Sequence, residues 1–156
     1  FQAGTYRGAS HRLAGMAWGA EDLSADIGAT AARGADGRFL DTFRLARTLT
    51  LLGAVAAEVA PIDGVYTDFR DLDGLRLECE AAARDGFTAK MAIHPAQVAV
   101  INAAFTPSEA TIAEAHRVVE AFRAAGDPGV VGLDGKMLDR PHLIRARRLL
   151  ARAGVA

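Results

Sequence analysis

Three times along the chain a short apolar run of strand length closes on a polar cluster and hands over to a helical pattern, an alternation that points to parallel βα units. The first run is Leu13-Ala-Gly-Met-Ala-Trp18, which leads into Gly19-Ala-Glu-Asp22. The second, Ile62-Asp-Gly-Val-Tyr-Thr67, is opened by Pro61 and closed by Asp68. The third, Ala89-Lys-Met-Ala-Ile93, stops at His94-Pro95, where proline would remove a ladder donor. Between the first two runs Leu45, Leu49, Leu52, Ala56 and Val59 recur at helical spacing while Arg44, Arg47, Thr48 and Glu58 fall mostly elsewhere, predicting a helix with one buried stripe. A second helix is expected from Leu72 to Arg84, ended by Asp85-Gly86. Strands joined through helices run parallel with right-handed crossovers, so their carboxyl ends share one edge.

Beyond the third run the pattern reads as helices only. Thr106-Pro-Ser-Glu109 offers a cap, a proline at the first helical position and a glutamate three residues after the cap, and Ile112, Ala115, Val119 and Phe122 then mark one face. Gly126-Asp-Pro-Gly129 breaks that helix, Val130 to Asp139 carries two glycines, and a last helix is predicted from about Pro141 to Arg152. Three βα units suit either a small doubly wound sheet or part of an eightfold barrel. A complete barrel needs about 250 residues, so at 156 the chain is too short to be a whole one. Three strands alone would also leave two edges unprotected. The first residue is Phe1 rather than an initiator methionine, and a preceding segment is expected.

Hydrophobic residues make up 51% of the chain, enough to bury a sizeable core. A formal net charge of −1 leaves no global field for nucleic acid or an anionic membrane, so a charged ligand has to be caught locally. No apolar run reaches the roughly 18 residues that span a bilayer, and no signal-peptide pattern opens the chain, which predicts a cytoplasmic protein. The single cysteine, Cys79, provides neither a disulfide framework nor a thiolate zinc site and reads as an ordinary helix residue.

In a parallel α/β architecture the active site lies outside the carboxyl ends of the strands, which selects Glu21 and Asp22 after the first run, Asp68 after the second and His94 after the third. A carboxylate there, preceded by Gly19 so that a ligand can approach the backbone, suits a hard oxygen-seeking cation such as Mg²⁺; on spacing alone a helix cap at the start of Asp22-Leu-Ser-Ala-Asp26 is the reading favoured for Asp22. Glu21 reads as a ligand, an outer acceptor or a solvated charge. His11, His94, His116 and His142 include no pair at a three- or four-residue spacing, which disfavours zinc. Lys90 either meets a phosphate or carboxylate from within a barrel or snorkels outward. His94 either orients a substrate or is satisfied by loop carbonyls. Leu133-Asp-Gly-Lys-Met-Leu-Asp139 has the composition of a functional loop, whereas Arg145, Arg147, Arg148 and Arg152 either attract phosphates or complement a helix C-terminus.

Five segments together resemble the citrate lyase beta subunit and malyl-CoA or citramalyl-CoA lyase family of the HpcH/HpaI aldolase superfamily. They are Gly19-Ala-Glu-Asp-Leu-Ser-Ala-Asp-Ile-Gly28, Ile62 to Asp71, Gly86 to Gln97, Phe105-Thr-Pro-Ser108 and Asp134-Gly-Lys-Met-Leu-Asp139, in that order. The resemblance implies the last three strands of a TIM (β/α)8 barrel over residues 1–104 and a helical C-terminal extension or lid over 105–156. It also implies Mg²⁺ on Asp22, a 2-oxo acid held at Gly19, Ala20 and Glu21, and a coenzyme A arm near Ile93, His94 and Pro95, with Lys90 a further contact. Asp139 is implied as the base, carried on a lid exchanged between subunits of a homo-oligomer, a trimer or hexamer. The reaction so implied is reversible cleavage of a 3-hydroxyacyl-CoA thioester to acetyl-CoA, or an analogue, and a 2-oxo acid. An aldolase acting on free 2-oxo acids, a malyl-CoA thioesterase and a non-catalytic fragment are the competing expectations. Ala89 stands where the family usually has glycine. The family's second metal-binding glutamate and its substrate arginine belong to strands that would precede Phe1.

Overall fold

The computed structural model describes residues 2–155, and the chain divides into two compact units between Phe105 and Thr106. In the first unit β1 (Gly15–Met16), β2 (Ala60–Asp63) and β3 (Ala89–Lys90) form a parallel sheet in the order β1-β2-β3. The connections contain α1 (Ala20–Ile27), α2 (Asp41–Ala56) and α3 (Leu72–Asp85), and α4 (Pro95–Phe105) follows β3. The parallel βα alternation is therefore as expected, but the ladders are shorter than the apolar runs. The second strand also starts earlier: Pro61 lies inside β2 and not ahead of it. A proline fits there because its carbonyl still accepts from Thr88 N at 2.9 Å, and only the missing donor is lost.

Helix α2 buries a different stripe from the one its leucines predict. Phe43, Gly53 and Ala54 face inward, while Leu45 and Leu52 are 52% and 59% exposed. Close approach explains the choice: a Cβ on Gly53 would come within 2.8 Å of the Ala3 carbonyl in the short 3-10 turn Ala3–Tyr6. Small residues permit that contact, and leucine would not. Helix α3 is capped by Asp71, whose side chain accepts from Gly74 N at 2.9 Å, and it ends at Gly86 with φ +114°. Its inner face, Leu75, Cys79 and Ala82, packs with Phe87 and with Ile101 and Phe105 of α4. Each large side chain buried in this way contributes roughly 1.5–3 kcal/mol. Burial pushes the Cys79 thiol up to about 11, so it behaves as a small core hydrophobe.

The second unit corrects the expectation of helices only. Between α5 (Glu109–Ala124) and α6 (Arg140–Ala153) stands an antiparallel hairpin, β4 (Val130–Leu133) with β5 (Lys136–Asp139). Its two-residue loop is Asp134-Gly135, with φ +49° and +73°, the primed geometry that matches strand twist. The cap of α5 is Ser108, accepting from Thr111 N at 3.2 Å, two residues later than Thr106. Ala115, Val118 and Phe122 of α5 meet Val131 of the hairpin and Leu143, Ala146 and Leu150 of α6 in one core. Among the described residues no helix is long and apolar enough to cross a membrane.

Candidate functional site

Parallel strands place the segments after β1, β2 and β3 at one edge of the sheet, and the candidate residues of the first unit lie in those segments, except Lys90, which ends β3 itself. Helix α1 begins at Ala20 with Gly19 as its N-cap residue, so Asp22 is its third residue and not its cap. Ala20 is buried, and Glu21 and Asp22 are exposed in the first turn, where the helix dipole favours negative charge. The Asp22 carboxylate leans back over the chain: a Cβ on Gly19 would overlap Asp22 Oδ2. Glycine at 19 thus leaves this carboxylate free to lie against the backbone at the helix start.

The two neighbouring loops are tied together. Gln97 of α4, fully buried, accepts from Ile93 N at 2.9 Å and donates to Tyr66 O at 2.9 Å, clamping the segment after β3 to the one after β2. His94 accepts from Ala96 N through Nδ1 at 3.1 Å and stacks on Phe69 with centroids 4.7 Å apart. Its Nδ1 therefore has a backbone partner within its own turn, although the ring itself stays exposed. Ile93 is half exposed, and Pro95 opens α4. Asp68 accepts from Arg70 N at 3.1 Å and so shapes its loop. The Tyr66 hydroxyl donates to Asp71 at 2.7 Å, which pushes the phenol up to about 12.

Lys90 follows neither of its expected courses. Its side chain is 1% exposed, and Nζ donates to Asp63 at 3.2 Å and to Glu78 at 2.9 Å. The register explains the placement: Lys90 pairs with Asp63, so both point to one face of the sheet, where α2 supplies Arg47 and α3 supplies Glu78. That helix-covered face leaves the ammonium no opening to a ligand. Burial alone would raise the Asp63 carboxyl, but the Arg47 hydrogen bond, the Lys90 charge and the Trp18 indole outweigh it and hold Asp63 below the usual carboxylate range. Asp63, Arg47, Glu78 and Gln97 were not singled out by the sequence reading. The available signal was a pair of opposite charges, Asp63 and Lys90, each inside an apolar strand run.

In the second unit Asp139 is the N-cap residue of α6, with Oδ1 2.5 Å from His142 Nδ1. The hydrogen bond from His142 keeps its carboxyl below the usual range. Among the described residues no three His, Cys, Asp or Glu side chains converge as a metal-binding group. Asp22 and Glu21 offer carboxylate oxygens without imidazole or thiolate, a donor type that fits a hard divalent cation but is too few in number to complete its shell.

The sequence profile of the HpcH/HpaI aldolase/citrate lyase family matches residues 7–95, from ahead of β1 to the start of α4. The chain belongs to this family. Within the HpcH/HpaI family it is 41% identical over 142 residues to the citrate lyase subunit beta-like protein of Mycobacterium tuberculosis, covering 91% of this chain and 51% of that protein. It is likewise 41% identical over 144 residues to a (3S)-malyl-CoA thioesterase of Cereibacter sphaeroides, covering 91% and 49%. The crystal structure of M. tuberculosis CitE in complex with magnesium, acetoacetate and coenzyme A superposes with a TM-score of 0.76 at 41% identity, covering 90% of this chain and 52% of that one. The chain spans about half the length of the curated relatives it matches.

Proposed function

We propose that the chain forms the last three strands of a TIM barrel together with a carboxyl-terminal extension. The whole enzyme would be a magnesium-dependent carbon–carbon lyase acting on a 3-hydroxyacyl-CoA thioester. The observation that carries this reading is Asp22: an exposed carboxylate over Gly19 at the carboxyl edge of the sheet, in a chain 41% identical to a protein crystallised with magnesium, acetoacetate and coenzyme A. When bound, the ion would polarise the carbonyl of the 2-oxo acid portion as a Lewis acid. Asp22 supplies one of its oxygen ligands. The free backbone N–H groups at the start of α1, at Ala20 and Glu21, are suited to hold the oxo acid's carboxylate, and Gly19 keeps the approach open. The Ile93-His94-Pro95 segment, braced by Gln97, borders the path of the coenzyme A arm. Asp139 of a neighbouring subunit moves the proton at the carbon next to the thioester carbonyl, its carboxylate oxygen being the group that accepts it. Lys90 is left out of this set because its ammonium is committed to Asp63 and Glu78.

In the full-length protein Asp22→Ala should weaken magnesium binding by at least about tenfold and reduce malyl-CoA or citramalyl-CoA cleavage by about a hundredfold or more. Unchanged ion affinity and turnover would overturn the proposal. The thioesterase relative favours a second outcome, hydrolysis of the thioester to free coenzyme A and a hydroxy diacid. Product analysis separates the two, since a lyase releases acyl-CoA and 2-oxo acid in equal amounts.

A further inference from the structure

Six side chains close a ring around the carboxyl ends of the three strands. Trp18 Nε1 donates to Asp63 Oδ1 at 3.0 Å, Lys90 Nζ joins Asp63 Oδ2 to Glu78 Oε1 at 3.2 and 2.9 Å, and Arg33 donates to Glu78 Oε2 at 2.7 Å. The Arg33 guanidinium then lies 3.6 Å from the centre of the Phe39 ring, and Phe39 meets Trp18 edge to face at 5.0 Å, which closes the circuit. The ring passes through β2, β3, α3, the α1–α2 connection and the residue just ahead of Gly19. Gly64 completes the seat, because a Cβ there would crowd the Trp18 carbonyl and indole at 3.1 and 3.2 Å.

Such a ring is an expensive way to fill space. Asp63 and Lys90 are almost wholly buried, and a buried ion pair is commonly no more stabilising than apolar side chains of the same volume. What ions and flat rings add is a fixed geometry, and the part of the chain they fix is Trp18. Four residues later comes Asp22, with the buried Ala20 between them belonging to the same cluster as Trp18 and Phe43. A shift of the indole would therefore carry the start of α1 with it.

We infer that this ring is a positioning device for the Asp22 carboxylate, with Asp63 as its pivot and Arg33 as its outer clasp. The inference rests on the reading of Asp22 as a magnesium ligand. Residues that orient ligands from behind typically alter metal affinity by about 10- to 100-fold when changed.

Two substitutions that leave the turn from Gly19 to Asp22 untouched test it in the full-length protein. Trp18→Phe removes the indole donor together with the five-membered ring that carries it and keeps an aromatic ring at the position, and Arg33→Gln opens the ring at its partly exposed end. Magnesium affinity is read by calorimetric titration far below the unfolding temperature of each variant, with thermal midpoints recorded separately. Trp18→Phe should raise the magnesium Kd about tenfold, and Arg33→Gln should raise it by a smaller factor that Arg33→Lys partly restores. Kd values within twofold of wild type in both variants, beside a clear loss in Asp22→Ala, would overturn the positioning role and leave the ligand assignment standing. Wild-type affinity in Asp22→Ala would remove the ligand assignment, and the ring's role with it.

Discussion

At Asp63 a single strand step decides what a charged residue can do. Had β2 and β3 paired one residue out of register, Asp63 and Lys90 would lie on opposite faces of the sheet. On the shared face Asp63 is 1% exposed and accepts from Trp18, Arg47 and Lys90. Its carboxyl is held below the ordinary value, so near pH 4 the unfolded chain binds a proton that the folded chain refuses. Stability from Asp63 is accordingly complete above about pH 5 and is lost as pH falls through the depressed folded value. Asp63→Asn should cost about 3 kcal/mol at pH 7, toward the low end for breaking a buried pair because Lys90 keeps Glu78 and Arg47 keeps Asp85. Urea midpoints measured from pH 7 to pH 2 should converge for wild type and variant at the acid end; a constant gap would refute the assignment.

At the scale of elements, the second unit shows what periodicity can and cannot disclose. The helix after Asp139 was readable from its proline and its arginine-rich end, and α3 from Asp85-Gly86, because caps and stops depend on local chemistry. The hairpin is not legible from alternation although Asp-Gly between two four-residue segments is the usual signal for one: Gly132 breaks the alternation in β4, and two carboxylates and a lysine give residues 133–139 the composition of a functional loop. In α2 the buried stripe was misread because leucine spacing is blind to how closely a neighbour approaches. Gly53 is buried for that reason. The rim positions of Asp22 and His94 were legible from parallel topology alone, but the Asp63 network was not, since its partners are brought together only by tertiary packing. Asp139 shows the same ambiguity between structure and function, being both the cap residue of α6 and the proposed base. Asn caps helices about as well as Asp but cannot take a proton. Asp139→Asn should therefore lower turnover by about 10²- to 10⁴-fold with the thermal midpoint nearly unchanged, whereas Asp139→Ala lowers both. Equal turnover in wild type and Asp139→Asn would reduce Asp139 to a cap.

For the molecule as a whole, the donor count is the decisive quantity. A divalent magnesium ion takes six oxygen ligands in near-octahedral geometry, and the described residues bring no three ligating side chains together. Asp22 and Glu21 are adjacent and exposed, so water would have to fill nearly the whole shell of an ion held there. The sheet points the same way: its three strands leave β1 and β3 with one unpaired side each. If the proposed barrel is right, residues 1–156 alone should bind magnesium with a Kd on the order of millimolar or weaker, and Asp22→Ala should change that value little. The same substitution in the full-length protein should change it strongly, because there Asp22 acts with donors from other strands. Calorimetric titration of the four samples decides the matter. Tight binding by the 156-residue chain, abolished by Asp22→Ala, would mean that the donors are all present here and that the half-site view is wrong.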